Sequence, residues 1–125
     1  MEENKITKWA SYIFQGLIAV MFLMSAAMNI SGNETAISMA TDMGYEGSAV
    51  LYFGLTQVLC IALYLYPRTS ILGAIIITGW LGGAVATHAI HGDPLGQTLF
   101  PIIIGVFVWL VLWLRSGVLR KILAI

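Results

Sequence analysis

The sequence predicts an all-α polytopic membrane protein: a four-helix transmembrane bundle with a short amphipathic helix between its first and second spans. Three observations predict it. The chain of 125 residues is 59% hydrophobic and only 10% charged, with a mean hydropathy of +0.90, whereas soluble chains carry ~25% charge. A domain this small buries only ~60–70% of the surface its unfolded chain exposes, so water is the wrong solvent for so much apolar side chain. Four apolar runs each approach the ~20 residues that cross ~30 Å of hydrocarbon as a helix.

The first span is expected over about residues 9–28, broken only by weakly polar Ser11, Gln15 and Ser25. The second covers about 48–66 and stops at Pro67-Arg68; the third covers about 69–90; the fourth covers about 98–114 and ends at Arg115. Lipid gives the backbone no partner, so each run must close its hydrogen bonds internally as a helix. The runs lack the alternation of barrel strands and are too long for them. Ser25-Ala26-Ala27 could pass for a cleavage site, but the apolar run before it is long for a signal peptide, and an uncleaved helix is expected. The chain reads as a single domain over residues 1–125.

Two segments are expected to lie along the membrane. Over about 33–43, Asn33 can cap a helix that has Glu34 in its first turn, and Gly44 can end it. Its Ala36, Met39, Ala40 and Met43 share one face, which suits a roof over one mouth of the bundle. Over about 116–125, Val118, Leu119, Ile122 and Leu123 oppose Arg115, Arg120 and Lys121, the pattern of an interfacial helix on an anionic leaflet.

Charge placement predicts orientation. Lys5, Lys8, Arg68, Arg115, Arg120 and Lys121 all fall in the two tails or the second connection. The first and third connections hold Glu34, Asp42, Glu46, Asp93 and His91 and no lysine or arginine. An even number of crossings with this bias places both termini in the cytoplasm and the protein in the cell (inner) membrane. Zero net charge gives no basis for nucleic-acid binding. One cysteine, Cys60, excludes an internal disulfide relay.

Polar groups within the spans are few, and costly unless bonded. Gln57 lies nine residues into the second span, about 13 Å from its end, and Thr78 lies at similar depth in the third. Asn29, Thr87, His88 and Gln97 sit near the same mouth, and Gln15 alone is strongly polar in the opposite half. The asymmetry predicts a polar pocket open at the mouth roofed by the amphipathic helix. Asn29, Gln57, Thr78, Thr87 and His88 are its expected ligand-binding groups, with Trp80 and Tyr52 as aromatic walls; the bland alternative is that these groups only bridge helices. In the third span, Gly79 and Gly83, and Gly82 and Ala86, are four apart, a spacing that lets helix backbones approach. Packing inside the bundle is the first reading of it, a homodimer the second. His88 and His91, three apart, could join Asp93 or Glu34 around a metal, but a rim histidine bonded to its surroundings is simpler, and no metal is expected. No nucleophile–base pair, phosphate loop or paired carboxylate occurs in the spans, so no catalytic residue is assigned. The absence of Asp, Glu, Lys and Arg from the four spans argues against a proton-coupled exporter.

The run Tyr64-Leu65-Tyr66-Pro67-Arg68-Thr69, then Leu72-Gly73-Ala74 and Thr78 to His88, with Leu99-Phe100-Pro101 and Trp109 to Arg115, resembles the DoxX-like family of bacterial four-helix membrane proteins. The resemblance implies the same bundle. It also implies a link to quinone-coupled redox complexes through the member for which the family is named, and a distant similarity to the receptor-assembly chaperone NACHO. Many members of the family carry a lysine late in the first helix and a glutamate in the second, where this chain has Asn29 and Gln57. A neutral amide pair there keeps interhelical hydrogen bonding and loses carboxylate proton transfer.

The expected function is therefore non-enzymatic: binding of a small amphipathic molecule, a quinone or a lipid, or support of a membrane redox complex as an accessory subunit without catalytic residues of its own. The alternative is a membrane-protein assembly factor acting through its lipid-facing helix surface. A quinone is the one cofactor this reading allows. The partners it allows are the bilayer, another membrane protein, and a second copy docked through the small residues of the third span.

Overall fold

A computed structural model describes residues 5–123. Its elements are α1 (Lys5–Ile30), α2 (Glu34–Asp42), α3 (Ala49–Leu65), α4 (Ser70–His91), α5 (Leu95–Arg115) and α6 (Gly117–Leu123). The long helices form a ring in which α1 packs on α3, α3 on α4, α4 on α5, and α5 back on α1. Short α2 rests on α1 and α3, and α6 rests on α5. By length and composition α1, α4 and α5 can each cross a membrane. Helix α3 has 17 residues, a rise of about 26 Å, at the lower limit for a span. Large apolar side chains such as Leu17, Leu59, Ile75 and Val106 remain exposed around the ring, as lipid permits and water does not.

The ends of the bundle differ in charge. At one, here the basic end, lie Lys5, Lys8, Arg68, Arg115, Arg120 and Lys121; at the other, the acidic end, lie Glu34, Asp42, Glu46 and Asp93. The core belongs to the basic half: Ile18 and Phe22 of α1, Cys60, Ile61 and Tyr64 of α3, Ala74 and Ile77 of α4, and Val108 and Val111 of α5. Toward the acidic end α4 buries nothing beyond Leu81, and α5 buries only Pro101 before Val108. Helices α4 and α5 are thus closed at the basic end and splayed at the other, while α1 and α3 stay packed toward the acidic end at Ala26, Val50 and Gly54.

Two close approaches hold the bundle, one toward each end. At Gly73 a side chain would overlap the Leu63–Tyr64 backbone, so the turn from α3 into α4 requires glycine there. Gly54 lies against Ala26 and Ile30 of α1. By contrast, Gly79, Gly82 and Gly83 have nothing within 4 Å of where a Cβ would stand. The expectation that this stripe packs helices inside the bundle is thus corrected: the close contacts are made at Gly54 and Gly73.

Helix α2 starts and stops as its sequence predicts. Thr35 N–H donates to Asn33 Oδ1 (2.8 Å). Gly44, at φ +97°, reverses the chain so that Tyr45 N–H donates to Ala40 O (2.9 Å) and Gly44 N–H to Thr41 O (3.1 Å), the paired bonds of a Schellman stop. The inward face is Ala36, Ile37, Ala40 and Met43; Met39, expected on it, is exposed. In α6 Leu119 is buried, while Val118 and Ile122 are exposed. The last part of the expected 116–125 helix, residues 124 and 125, lies outside the described residues.

Candidate functional site

The splayed end contains a groove of about 340 Å³ between α3 and α4. Its floor is the α4 backbone at Gly79, Gly83 and Ala84, its walls are Phe53 and Trp80, and its rim is Met43, Tyr45, Thr87 and His88. The groove exists because glycines stand where a side chain would fill it.

Three aromatic rings line one side. Tyr45 meets Phe53 edge-to-face (4.9 Å between centroids, 85°), and Phe53 meets Trp80 in the same way (5.7 Å, 76°). Such pairs are the favoured aromatic geometry. The Schellman stop of α2 puts Tyr45 in place, and its hydroxyl lies 2.6 Å from Thr87 Oγ1. Thr87 spends its own proton on Gly83 O (2.8 Å), so Tyr45 is the donor between them and its oxygen lone pairs stay free.

At the rim, Gly92 takes φ +79°, and Asp93 N–H donates to His88 O (3.0 Å). This second Schellman turn brings the Asp93 carboxylate back onto two imidazoles, at 2.5 Å from His88 Nδ1 and 2.6 Å from His91 Nδ1. The hydrogen bonds from His88 and then His91 hold the Asp93 carboxyl below its ordinary value. An ionised Asp93 accepts Nδ1–H and so leaves Nε2 of a neutral His88 as an acceptor. No group of three or more His, Cys, Asp or Glu side chains suited to a metal occurs among the described residues.

The structure divides the predicted site residues. Trp80, Thr87 and His88 line the groove. Asn29 and Gln57 do not: Asn29 Nδ2 donates to Gln57 Oε1 (2.9 Å) and Gln57 Nε2 donates to Ser25 Oγ (3.0 Å), bridging α1 and α3 with Gln57 4% exposed. Thr78 faces α5, donating to Ala74 O and accepting from Trp109 Nε1 (2.8 Å). Beside it lies a smaller cleft of about 210 Å³ against Pro101 and Gly105. Tyr52 is 68% exposed away from the groove; its neighbour Phe53 supplies the wall. Tyr45 and Phe53 were missed, though an aromatic next to a helix-stopping glycine is a usable signal for Tyr45.

A second polar cluster lies at the basic end, where Gln15 was expected to be alone. Arg115 folds back so that Nη2 donates to Gln15 Oε1 (2.7 Å), and its guanidinium sits 4.5 Å over the Tyr12 ring. Gln15 Nε2 donates to Tyr64 O (3.1 Å), which also accepts from Ser70 Oγ (2.9 Å). Tyr64 Oη crosses the bundle to Val108 O (2.8 Å). Its Gln15, Tyr64 and Ser70 are buried, and its bonds join α1, α3, α4 and α5.

The model of the DoxX-like family matches residues 13–111, which take in α2, α3 and α4 whole and most of α1 and α5. No curated protein and no solved structure matches the chain.

Proposed function

The chain belongs to the DoxX-like family, and from that premise we propose a non-catalytic membrane protein that holds a small amphipathic molecule, a lipid or a quinone, in the groove between α3 and α4. The supporting observation is the groove itself: about 340 Å³, apolar on floor and wall, with Tyr45, Thr87 and His88 at its rim. Ligand sites have this size and this mixture of apolar lining with few polar groups. A quinone carbonyl would take its hydrogen bond from the Trp80 indole or a protonated His88; a lipid needs neither. The distribution of lysine and arginine supports an inner-membrane location with both termini cytoplasmic, which puts the groove on the outer side.

Native-lipid particles analysed by mass spectrometry test this reading. A small molecule should be retained by the wild type and lost from Gly83→Leu, whose side chain grows into the groove without touching backbone. Equal retention by both proteins would sink it. One observation favours a second reading, an assembly factor or redox-complex accessory: Gly79 and Gly83, four residues apart on α4, have no atom of this chain within 4 Å of where a Cβ would stand, a surface that a neighbouring helix can approach. That reading expects a stoichiometric membrane protein in the same particles and no effect of Trp80→Leu on it.

A further inference from the structure

We propose that the ligand of the α3–α4 groove is an organic cation, a tertiary or quaternary ammonium on an apolar body; this rests on the groove being a binding site and specifies what it takes. The first ground is the wall. Tyr45, Phe53 and Trp80 stand at 85° and 76° to one another along one side, and all three line the cavity. The edge-to-face contacts fix the three rings in place, and alkylammonium groups are held against the faces of such aromatic linings. The second ground is the polar rim. The protons of Tyr45 and Thr87 are committed to Thr87 Oγ1 and Gly83 O, and Asp93 holds Nδ1 of His88. The rim thus turns the oxygen lone pairs of Tyr45 and Thr87 toward a guest. The third ground is the field. No lysine or arginine lines the groove, and among the described residues this end of the bundle carries Glu34, Asp42, Glu46 and Asp93 while every lysine and arginine lies at the other. The fixed charges at this end are thus acidic, with His88 and His91 its only basic side chains among the described residues, and such a field favours a cation over an anion.

The test uses the purified protein in an uncharged maltoside detergent, with three probes of one shape read by calorimetry: benzyltrimethylammonium, its neutral isostere neopentylbenzene, and phenylmethanesulfonate. The cation should bind wild type about tenfold or more tighter than the neutral isostere, as desolvated cation–π contacts allow, and the sulfonate should not bind. Trp80→Leu should remove most of that preference, and Gly83→Leu should abolish binding of both the cation and the isostere. Equal affinity of cation and isostere, both lost in Gly83→Leu, would overturn the cation assignment and leave the groove as a site. Binding indifferent to Gly83→Leu for every probe would overturn the site as well.

Discussion

The two ends of this bundle use the same kinds of residue to opposite effect. At the basic end, Gly73 brings the α3 and α4 backbones together, and a buried glutamine is spent on holding Arg115 and the Tyr64 carbonyl. At the acidic end, Gly79 and Gly83 touch nothing, and the aromatic and polar side chains above them frame a groove. Packing in lipid has no hydrophobic driving force between helices and depends on close contact and internal hydrogen bonds. At the acidic end α1 and α3 keep both, through Gly54 and the Asn29–Gln57–Ser25 bonds, while α4 forgoes close contact at Gly79 and Gly83 and leaves the groove open. Along α4 the difference is one of packing: the helix is buried at Gly73, Ala74, Ile77 and Leu81 and open beyond Leu81.

The sharpest way to break that comparison is with glycines. Gly73→Ala puts a methyl into the Leu63–Tyr64 backbone, an overpacking cost of about 1–3 kcal/mol or more. Gly83→Ala enters open space and should stay within about 0.5 kcal/mol of wild type. Denaturant unfolding in detergent measures both, and comparable losses would mean the ends are not mechanically distinct.

The two buried glutamines come next. Gln15→Leu leaves Arg115 without its acceptor, and Arg115 Nε already lacks one; a charged donor stranded this way costs about 1–3 kcal/mol. Gln57→Leu frees only the neutral Asn29 and Ser25, a membrane hydrogen-bond loss of about 0.6 kcal/mol and at most about 1.7. The same unfolding assay should rank Gln15→Leu as the more damaging. A reversed order would shift the anchoring of α1 from its basic-end to its acidic-end contacts.

A third, smaller contrast uses tyrosines. Tyr64→Phe removes a buried bond to Val108 O and should cost about 1 kcal/mol. Tyr45→Phe removes an exposed bond to Thr87, should cost less, and should instead change how the groove holds its guest.

Much of the architecture was legible, and the reasons it was, and was not, are specific. Apolar run length announces a span, because lipid imposes a minimum length and forbids unpaired backbone. Asn33 and Gly44 announce α2, because a cap and a left-handed stop are local chemistry. The stripe Gly79–Gly83 announces a face but not what lies opposite it, which only the arrangement of other helices decides. Tyr52 and Phe53 are one residue apart, and one residue is about 100° of helix, enough to exchange a lipid-facing ring for a groove wall. Arg115 at a span end is expected to reach outward to the interface; it turns inward because Gln15 and Tyr12 lie one helix away, a pairing 100 residues distant in sequence that no local pattern encodes.

The smallest expected effect concerns the clasp at the acidic end, and its sign follows from the chemistry. Asp93 accepts from His88 and His91, and these bonds lower its carboxyl from the ordinary 3.8. A carboxyl lowered in the folded state stabilises that state above its ordinary value, and the gain fades as pH falls through the lowered one. The difference in stability between wild type and Asp93→Asn should therefore persist from neutrality through mild acid and shrink only below about pH 4. It should be slight, because the His91 side chain is 40% exposed and water screens the pair. A difference present in mild acid but gone at neutrality would mean that protonation of the histidines, and not the carboxylate alone, governs the clasp. Since His88 also lines the groove, the same titration followed by cation binding separates the two ends once more: Asp93→Asn should weaken the guest's hold at the acidic end while leaving the Gln15–Arg115 anchor and its unfolding transition in place.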